Sequence, residues 1–274
     1  FGNYLWHYTV TGPAMVEVLN EVMGPNDRFA GVTLATGSAG TIGSGDYLKQ
    51  HYPNSKIAAG EATECPTMLV NGFGEHRIEG IGDKHIPWIH NVRNTDMAIA
   101  IDDEASISLI RLFNEPAGHA YLADQGVSQD FIEKLPLLGI SCVANMLMAI
   151  KFAKFYELTG NDVVMTVATD SMEMYQSRLA ELNEERGEFT AIDAAAAYHQ
   201  YLQGQSLANM QELGYYDKKR IHNLKYYTWV EQQGKTYEEI QAQWYDPDYW
   251  TSIQVMADPI DEMIEAFNEQ VDQA

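Results

Sequence analysis

Cysteine is scarce in this 274-residue chain: only Cys65 and Cys142 occur, far apart in sequence. Two isolated thiols exclude a disulfide framework and offer no zinc-ligand spacing, so a reducing, cytoplasmic setting is the expectation. Basic residues are also few, 17 Lys and Arg against 39 Asp and Glu, for a formal net charge of -22. Such a surface repels phosphate backbones and anionic lipid, so neither nucleic acid nor a membrane is expected as partner. No apolar run approaches the roughly 18 residues that a membrane span needs. The opening residues Phe1-Gly2-Asn3-Tyr4 do not form the basic and then apolar leader of a secreted protein. Repeats and low-complexity tracts are absent as well. What remains is an ordinary globular composition, 46% hydrophobic, enough for one large domain or two small ones.

From Arg28 onward, strand-like and helix-like segments alternate. Phe29 to Leu34, Lys56 to Glu61, Met97 to Ile101 and Val163 to Val167 are short apolar runs of the kind that form buried parallel strands. Between them, helical patterns cover Thr41 to Gln50, the stretch capped by Asp102 or Asp103, Ile140 to Leu158 and Met172 to Glu184. The expected fold class is therefore α/β: a doubly wound, mostly parallel sheet with helices on both faces. Residues 1–189 form the expected sheet portion. Residues 190–274 read as a helical C-terminal extension with no further strand. Its last segment, Asp258 to Asp272, is an expected amphipathic helix with Ile260, Met263, Ile264 and Phe267 facing inward.

The sharpest chemical signal is Thr36-Gly37-Ser38-Ala39-Gly40-Thr41-Ile42-Gly43. It follows an apolar strand and opens a helix. Small residues there let backbone N–H groups turn toward an anion, and the helix start adds partial positive charge. Ser38 and Thr41 contribute hydroxyls, so a phosphate-bearing cofactor is the expected ligand. The Gly37, Gly40, Gly43 spacing is neither G-x-G-x-x-G nor a P-loop. Glu61, closing the next strand, stands where a dinucleotide site would place its ribose-binding acid, which keeps a nicotinamide-dependent oxidoreductase open as an alternative.

The interval from Cys65 to Thr95 interrupts the rhythm and is too long for an ordinary connection, which marks it as a functional loop. His76, His85 and His90 lie in it beside Glu75, Glu79 and Asp83, but their spacings match no metal-ligand motif, and no metal is expected. Cys65, without a paired His, reads as structural. Lys218-Lys219-Arg220, with Tyr215, Tyr216, Tyr226 and Tyr227, reads as a helix that packs by its tyrosines and is ion-paired by its lysines.

Five segments in register carry a resemblance. Gly37-Ser38-Ala39-Gly40-Thr41-Ile42 followed by Gly45-Asp46-Tyr47-Leu48-Lys49 resembles the phosphate loop and helix of the cysteine synthase-like, fold type II pyridoxal phosphate enzymes. Ile78-Glu79-Gly80-Ile81-Gly82 with Ile86-Pro87 resembles that family's active-site entrance loop. Gly139-Ile140-Ser141 and Val167-Ala168-Thr169-Asp170-Ser171 resemble two further family segments, and His7-Tyr8 with Thr11-Gly12-Pro13 resembles the stretch before them. The resemblance runs from about Asn3 to Leu179. It departs from the family at Cys142-Val143-Ala144-Asn145, at the missing proline before Asp170, and at Met172-Glu173-Met174.

The resemblance implies pyridoxal 5'-phosphate as cofactor, held through Gly37, Ser38, Ala39, Gly40 and Thr41. It implies that Ser171 meets the pyridine nitrogen as a neutral partner, which suits elimination or replacement at the β-carbon of a small amino acid. Gly80 and Gly82 would let the loop approach that substrate. The implied activity is that of a lyase or transferase. The family's Schiff-base lysine falls upstream of anything matching Phe1, and Lys84 is given no such role. The catalytic residues are therefore unassigned within this chain, and an N-terminal segment or a separate subunit is expected to complete the site. A homodimer or higher oligomer is the family expectation. A non-catalytic structural subunit of the same fold is the other alternative.

Overall fold

A computed structural model of the protein describes residues 1–272. The chain begins with a short helix α1 (Gly2–Trp6), which passes through a wider turn at His7–Thr11 into α2 (Gly12–Val22). Strand β1 (Arg28–Ala35) follows, then α3 (Gly43–His51), β2 (Lys56–Ala62) and the four-residue helix α4 (Thr67–Val70). Next come β3 (Met97–Ile101), α5 (Asp103–Asn114), α6 (Pro116–Asp124), α7 (Gln129–Ile132) and α8 (Ile140–Phe155). Strand β4 (Asp162–Met165) leads through a 3-10 turn at Met172–Tyr175 into α9 (Gln176–Arg186).

The sheet order is β4-β1-β2-β3-β5, the first four strands parallel. Parallel strands buried on both faces need apolar residues throughout, which is why β2 and β3 read as continuous small and branched runs rather than alternating ones. On one face Val32, Leu34, Ile57, Ala59 and Ala98 pack with Met15, Leu19, Ile42 and Leu48 of the helical layer. On the other, Ala58, Met97, Ile99 and Ile101 pack with Ile107, Ile110, Val143, Leu147 and Met148. Fully burying a side chain of that size stabilises by roughly 1.5–3 kcal/mol. The alanines and glycine of β2 let α8 approach closely: a side chain on Gly60 would collide with Met148.

Three sequence expectations are corrected in the C-terminal region. After α10 (Ala191–Ala197), strand β5 (Met210–Glu212) pairs antiparallel with β3. The extension therefore contributes to the sheet. Met210-Gln211-Glu212 is too short and too polar to have stood out as a strand. Helices α11 (Tyr215–Asn223), α12 (Tyr237–Tyr245), α13 (Tyr249–Gln254) and α14 (Ala257–Asp272) complete the chain. The expected inward stripe of α14 instead faces out: Met263 and Phe267 are each 64% exposed and Ile264 51%. Only Ile260 packs against the Tyr4–Trp250 cluster, because the helix runs beyond the body of the protein. Tyr216, Tyr226 and Tyr227 are also exposed rather than packed, whereas the largely exposed Tyr215 sets its ring against Trp244 at 5.7 Å and Lys218 pairs with Asp96. Among the described residues no single helix is long and apolar enough to cross a membrane.

Candidate functional site

The C-terminal ends of β1, β2 and β4 converge on one edge of the sheet, the place where open α/β folds bind ligands. The turn that leaves β1 there is built by hydrogen bonds on both sides. Asn145, buried in the middle of α8, accepts from the Ala35 N–H at 2.9 Å and donates to the Val167 carbonyl at 2.9 Å. Its side chain thus bridges the ends of β1 and β4. Thr36 donates its hydroxyl to the Gly60 carbonyl, and Thr166 donates to the Thr33 carbonyl at 2.7 Å.

From Gly37 to Ile42 the backbone N–H groups find no acceptor among the described residues; intrahelical bonding resumes at Gly43, which donates to the Gly40 carbonyl at 2.9 Å. Ala39, Gly40 and Ile42 are buried, so these are orphan donors where water access is limited. Ala39 is held at φ +64°, the left-handed region that side chains other than glycine rarely adopt, and a left-handed residue within a run of unpaired N–H groups is what an anion-binding nest requires. Asn3 of α1 lies over the nest: it donates to the Ser38 hydroxyl oxygen at 2.6 Å, and its side chain fills the space beside Gly40. The Ser38 hydroxyl hydrogen stays free to be donated. Thr41 reaches the Ala35 carbonyl only at 3.4 Å, a weak bond readily exchanged for a better acceptor.

Gly80 and Gly82 sit opposite the turn. Gly82 donates its N–H to the Thr36 carbonyl at 2.5 Å, and the Gly80 carbonyl lies 3.4 Å from where a side chain on Gly37 would begin. Both glycines have positive φ, +80° and +78°, so the loop needs glycine at these two positions to turn against β1. Its flanks are fixed from two directions. Asp103 at the start of α5 accepts from the Arg77 and Ile78 N–H groups, and Glu79 forms an ion pair with Arg178 of α9. Ser141 stands behind Gly80 and shares a hydrogen bond of 3.1 Å with Thr169.

Ser171 ends the same cluster. Asp170, immediately before it, accepts from the Gly139 N–H through its carbonyl at 3.1 Å, and its carboxylate accepts from Tyr175 and from the Cys142 thiol. The Asp170 bond, followed by burial, pushes the Tyr175 phenol above its ordinary range. The Ser171 hydroxyl is half-buried and makes no hydrogen bond among the described residues. Turn, loop and serine segment are therefore brought to one edge. Asn3 joins them without having been singled out in the sequence, and Thr36 and Thr169, which stood in the quoted segments, had been given no role of their own. A buried polar side chain inside an apolar helix was the available signal for Asn145; nothing local marks Asn3.

Other expected positions lie elsewhere. Glu61 is 1% exposed, and its carboxylate accepts the Met68 and Leu69 N–H groups at 2.8 and 2.9 Å. Burial pushes its pKa up to about 7. A carboxylate committed to the start of α4 is not available to a ribose, so the nicotinamide alternative loses its one supporting residue. His85 pairs with Asp83 at 3.3 Å, and buried His90 bonds Thr95 at 2.8 Å. Lys84 is exposed, whereas Lys49 is committed to Asp96 and Lys151 to the Ser206 and Ala208 carbonyls.

No protein-family model matches the sequence. A cysteine synthase of Staphylococcus aureus is 30% identical over 173 residues, covering 60% of this chain and 50% of that protein. A probable cysteine synthase of Bacillus subtilis is 27% identical over 172 residues, 62% and 48% of the two chains. The chain thus spans about half the length of the relatives it matches. Among solved structures, a hydrogen sulfide-producing enzyme from Fusobacterium nucleatum is 24% identical with a TM-score of 0.51, covering 77% of this chain and 55% of that one. An O-acetylserine sulfhydrylase from Entamoeba histolytica, also 24% identical, gives 0.52 over 73% and 51%. The structural likeness establishes the fold, and the sequence likeness to cysteine synthases agrees with the five segments in register. Over about 60% of its length the chain is similar to cysteine synthases, and its fold is that of the hydrogen sulfide-producing and O-acetylserine sulfhydrylase structures.

Proposed function

We propose that this chain forms the cofactor-binding part of a pyridoxal phosphate-dependent lyase or transferase that carries out β-elimination or β-replacement on a small amino acid. The observation that carries this reading is the run of unpaired N–H groups from Gly37 to Ile42 at the end of β1. Six donors converging at the start of a helix fit a phosphate dianion, which needs several donors and no lysine or arginine when the helix end supplies positive potential. The residues present fit the group: Gly37, Ser38, Ala39, Gly40 and Thr41 would hold the phosphate, and Ser171 would face the ring nitrogen. When bound, pyridoxal phosphate supplies an electron sink for charge developing at the substrate α-carbon.

The chain's own residues have simpler tasks. Ser171, as a neutral hydroxyl, would leave the ring nitrogen unprotonated, which favours chemistry at the β-carbon over deeper electron withdrawal. Gly80 and Gly82 keep the loop low, so that a small substrate can approach between loop and turn.

The cofactor-bearing lysine and the carboxylate-binding residues are proposed to come from an N-terminal segment or a second polypeptide. That proposal draws on the half-length match to the relatives and on the commitments of the lysines described above. A homodimer or higher oligomer is proposed with it. Two buried, unbridged thiols, Cys65 and Cys142, fit a reducing cytoplasmic setting.

Borohydride reduction followed by intact mass measurement of every polypeptide in the purified sample tests the reading. A longer or second chain carrying the mass of reduced pyridoxal phosphate is the expected result. Absence of the modification from every polypeptide would overturn it.

A further inference from the structure

Residues 215–256 do more than extend the fold. Lys225 on this segment is fully buried, yet among the described residues its ammonium meets no carboxylate. It donates instead to the Trp88 carbonyl at 3.0 Å, the His90 carbonyl at 2.8 Å and Gln243 Oε1 at 2.6 Å. Gln243 sends its own N–H to the same Trp88 carbonyl at 3.2 Å, and the Trp229 indole donates to the Ile86 carbonyl at 2.8 Å. Ile86, Trp88 and His90 continue the loop that begins at Gly80 and Gly82. Burying an ammonium without an anion is costly, and burial lowers the pKa of this one well below the ordinary lysine value. Three good acceptors offset that cost only while the loop stays where it is.

The same segment grips the opposite wall. Trp250 donates to the Gln243 carbonyl at 3.1 Å and packs its ring 5.6 Å from that of Tyr4. Gln254 donates to the Tyr4 hydroxyl at 2.9 Å, and Tyr4 donates to Asp46 at 2.8 Å. Asp46 lies in α3, the helix that opens from the glycine turn, and it also accepts from Asn91 and Asn94 at 2.9 Å each. A connected chain of hydrogen bonds and packed rings therefore runs from the loop, through the C-terminal segment, to the helix beneath the nest.

We infer that the C-terminal segment is a brace that fixes the Gly80–His90 loop against the glycine turn, with Lys225 as the positioning residue at its centre, so that the gap for a small amino acid is preformed. The amino-acid part rests on the function proposed above; the brace itself does not.

Hydrogen exchange of the full chain, read by mass spectrometry, tests it in Lys225→Met and Trp229→Phe. Trp229→Phe removes one donor while keeping an aromatic ring, which preserves a folded comparison if Lys225→Met does not fold. The expected result is exchange at least tenfold faster across residues 85–93 in Lys225→Met and several-fold faster in Trp229→Phe, with β1 and β2 unchanged. Unchanged loop exchange, or the same acceleration throughout the sheet, would overturn the brace. In the assembly completed by the lysine-bearing segment or subunit and loaded with pyridoxal phosphate, the absorbance response to added L-serine should need several-fold more serine in the variants; equal half-saturation would remove the positioning role. Failure of pyridoxal phosphate to bind the unsubstituted protein would sink the cofactor reading alone, because the exchange comparison still decides the brace.

Discussion

At the scale of single residues, the site depends on polar groups that solve backbone problems. Asn145 satisfies one buried N–H and one carbonyl at the ends of two strands. Asn145→Ala leaves both unpaired, and each such group costs about 1–3 kcal/mol. The expected loss is roughly 2–4 kcal/mol in a urea titration, where a loss below about 1 kcal/mol would mean the strand ends are held by something else. Ala39 is the converse case, a side chain in a conformation that costs about 1–2 kcal/mol. Ala39→Gly relieves that strain but adds freedom to the unfolded chain, so a net gain between zero and about 1 kcal/mol is expected. A clear loss of stability would contradict the strain argument. Glycines at 37 and 40 were legible in sequence because chemistry at a turn restricts the choice of residue, whereas those at 80 and 82 entered only through the family resemblance. The φ of Ala39 was not, since alanine carries no local signature of a left-handed turn.

Among the elements, helix starts and strand ends set where the chemistry can sit. Asp102 caps α5, accepting from the Glu104 and Ala105 N–H groups at 2.8 and 3.2 Å, as its position before an apolar helical stripe suggested. Asp102→Ala should cost about 1 kcal/mol by thermal or chemical unfolding, and an effect near zero would show that α5 is fixed by its packing alone. Strands β1, β2 and β3 were legible because burial on both faces demands apolar runs, and the half-buried edge strand β4 was legible by its valines. Strand β5 was not, because three polar-flanked residues become a strand only through the edge that β3 presents to them. Helix α14 shows the opposite limit. Its apolar spacing was read correctly as amphipathic, but periodicity reports that a face exists and says nothing of what covers it. Because its stripe is exposed, ending the chain after Met256 should leave the melting temperature within about 2 °C; a drop of 8 °C or more would imply about 2–4 kcal/mol of hidden packing.

For the molecule as a whole, buried titratable groups tie stability to pH. Burial, reinforced by the Lys225 charge, lowers the pKa of His90 and of His222 from 6.5 to about 3. The unfolded chain then binds more protons than the folded one between these values, so the stability contributed by these neutral imidazoles is complete above pH 6.5 and is lost as pH falls toward 3. Glu61 acts with the opposite sign: its raised pKa gives stability that is present below pH 4.5 and lost as pH rises through about 7. The two depressed histidines by themselves make the melting temperature fall on acidification from pH 6.5, against the opposite pull of the raised carboxyls of Glu61, Asp46, Glu64 and Asp83. His222→Gln can still donate to the Ile240 carbonyl, which His222 meets at 3.0 Å, and should show a shallower fall. An unchanged slope would exclude His222 as a contributor.

The most direct test of the central claim, that the Gly37–Ile42 nest holds the phosphate of pyridoxal phosphate, compares that cofactor with pyridoxal, which lacks the phosphate. Tryptophan fluorescence titrations with each, repeated in inorganic phosphate, separate nest binding from casual condensation with surface lysines. The account predicts that the phosphorylated form binds at least a hundredfold more tightly and is displaced by inorganic phosphate. Equal affinity for the two forms, or binding indifferent to inorganic phosphate, would contradict it.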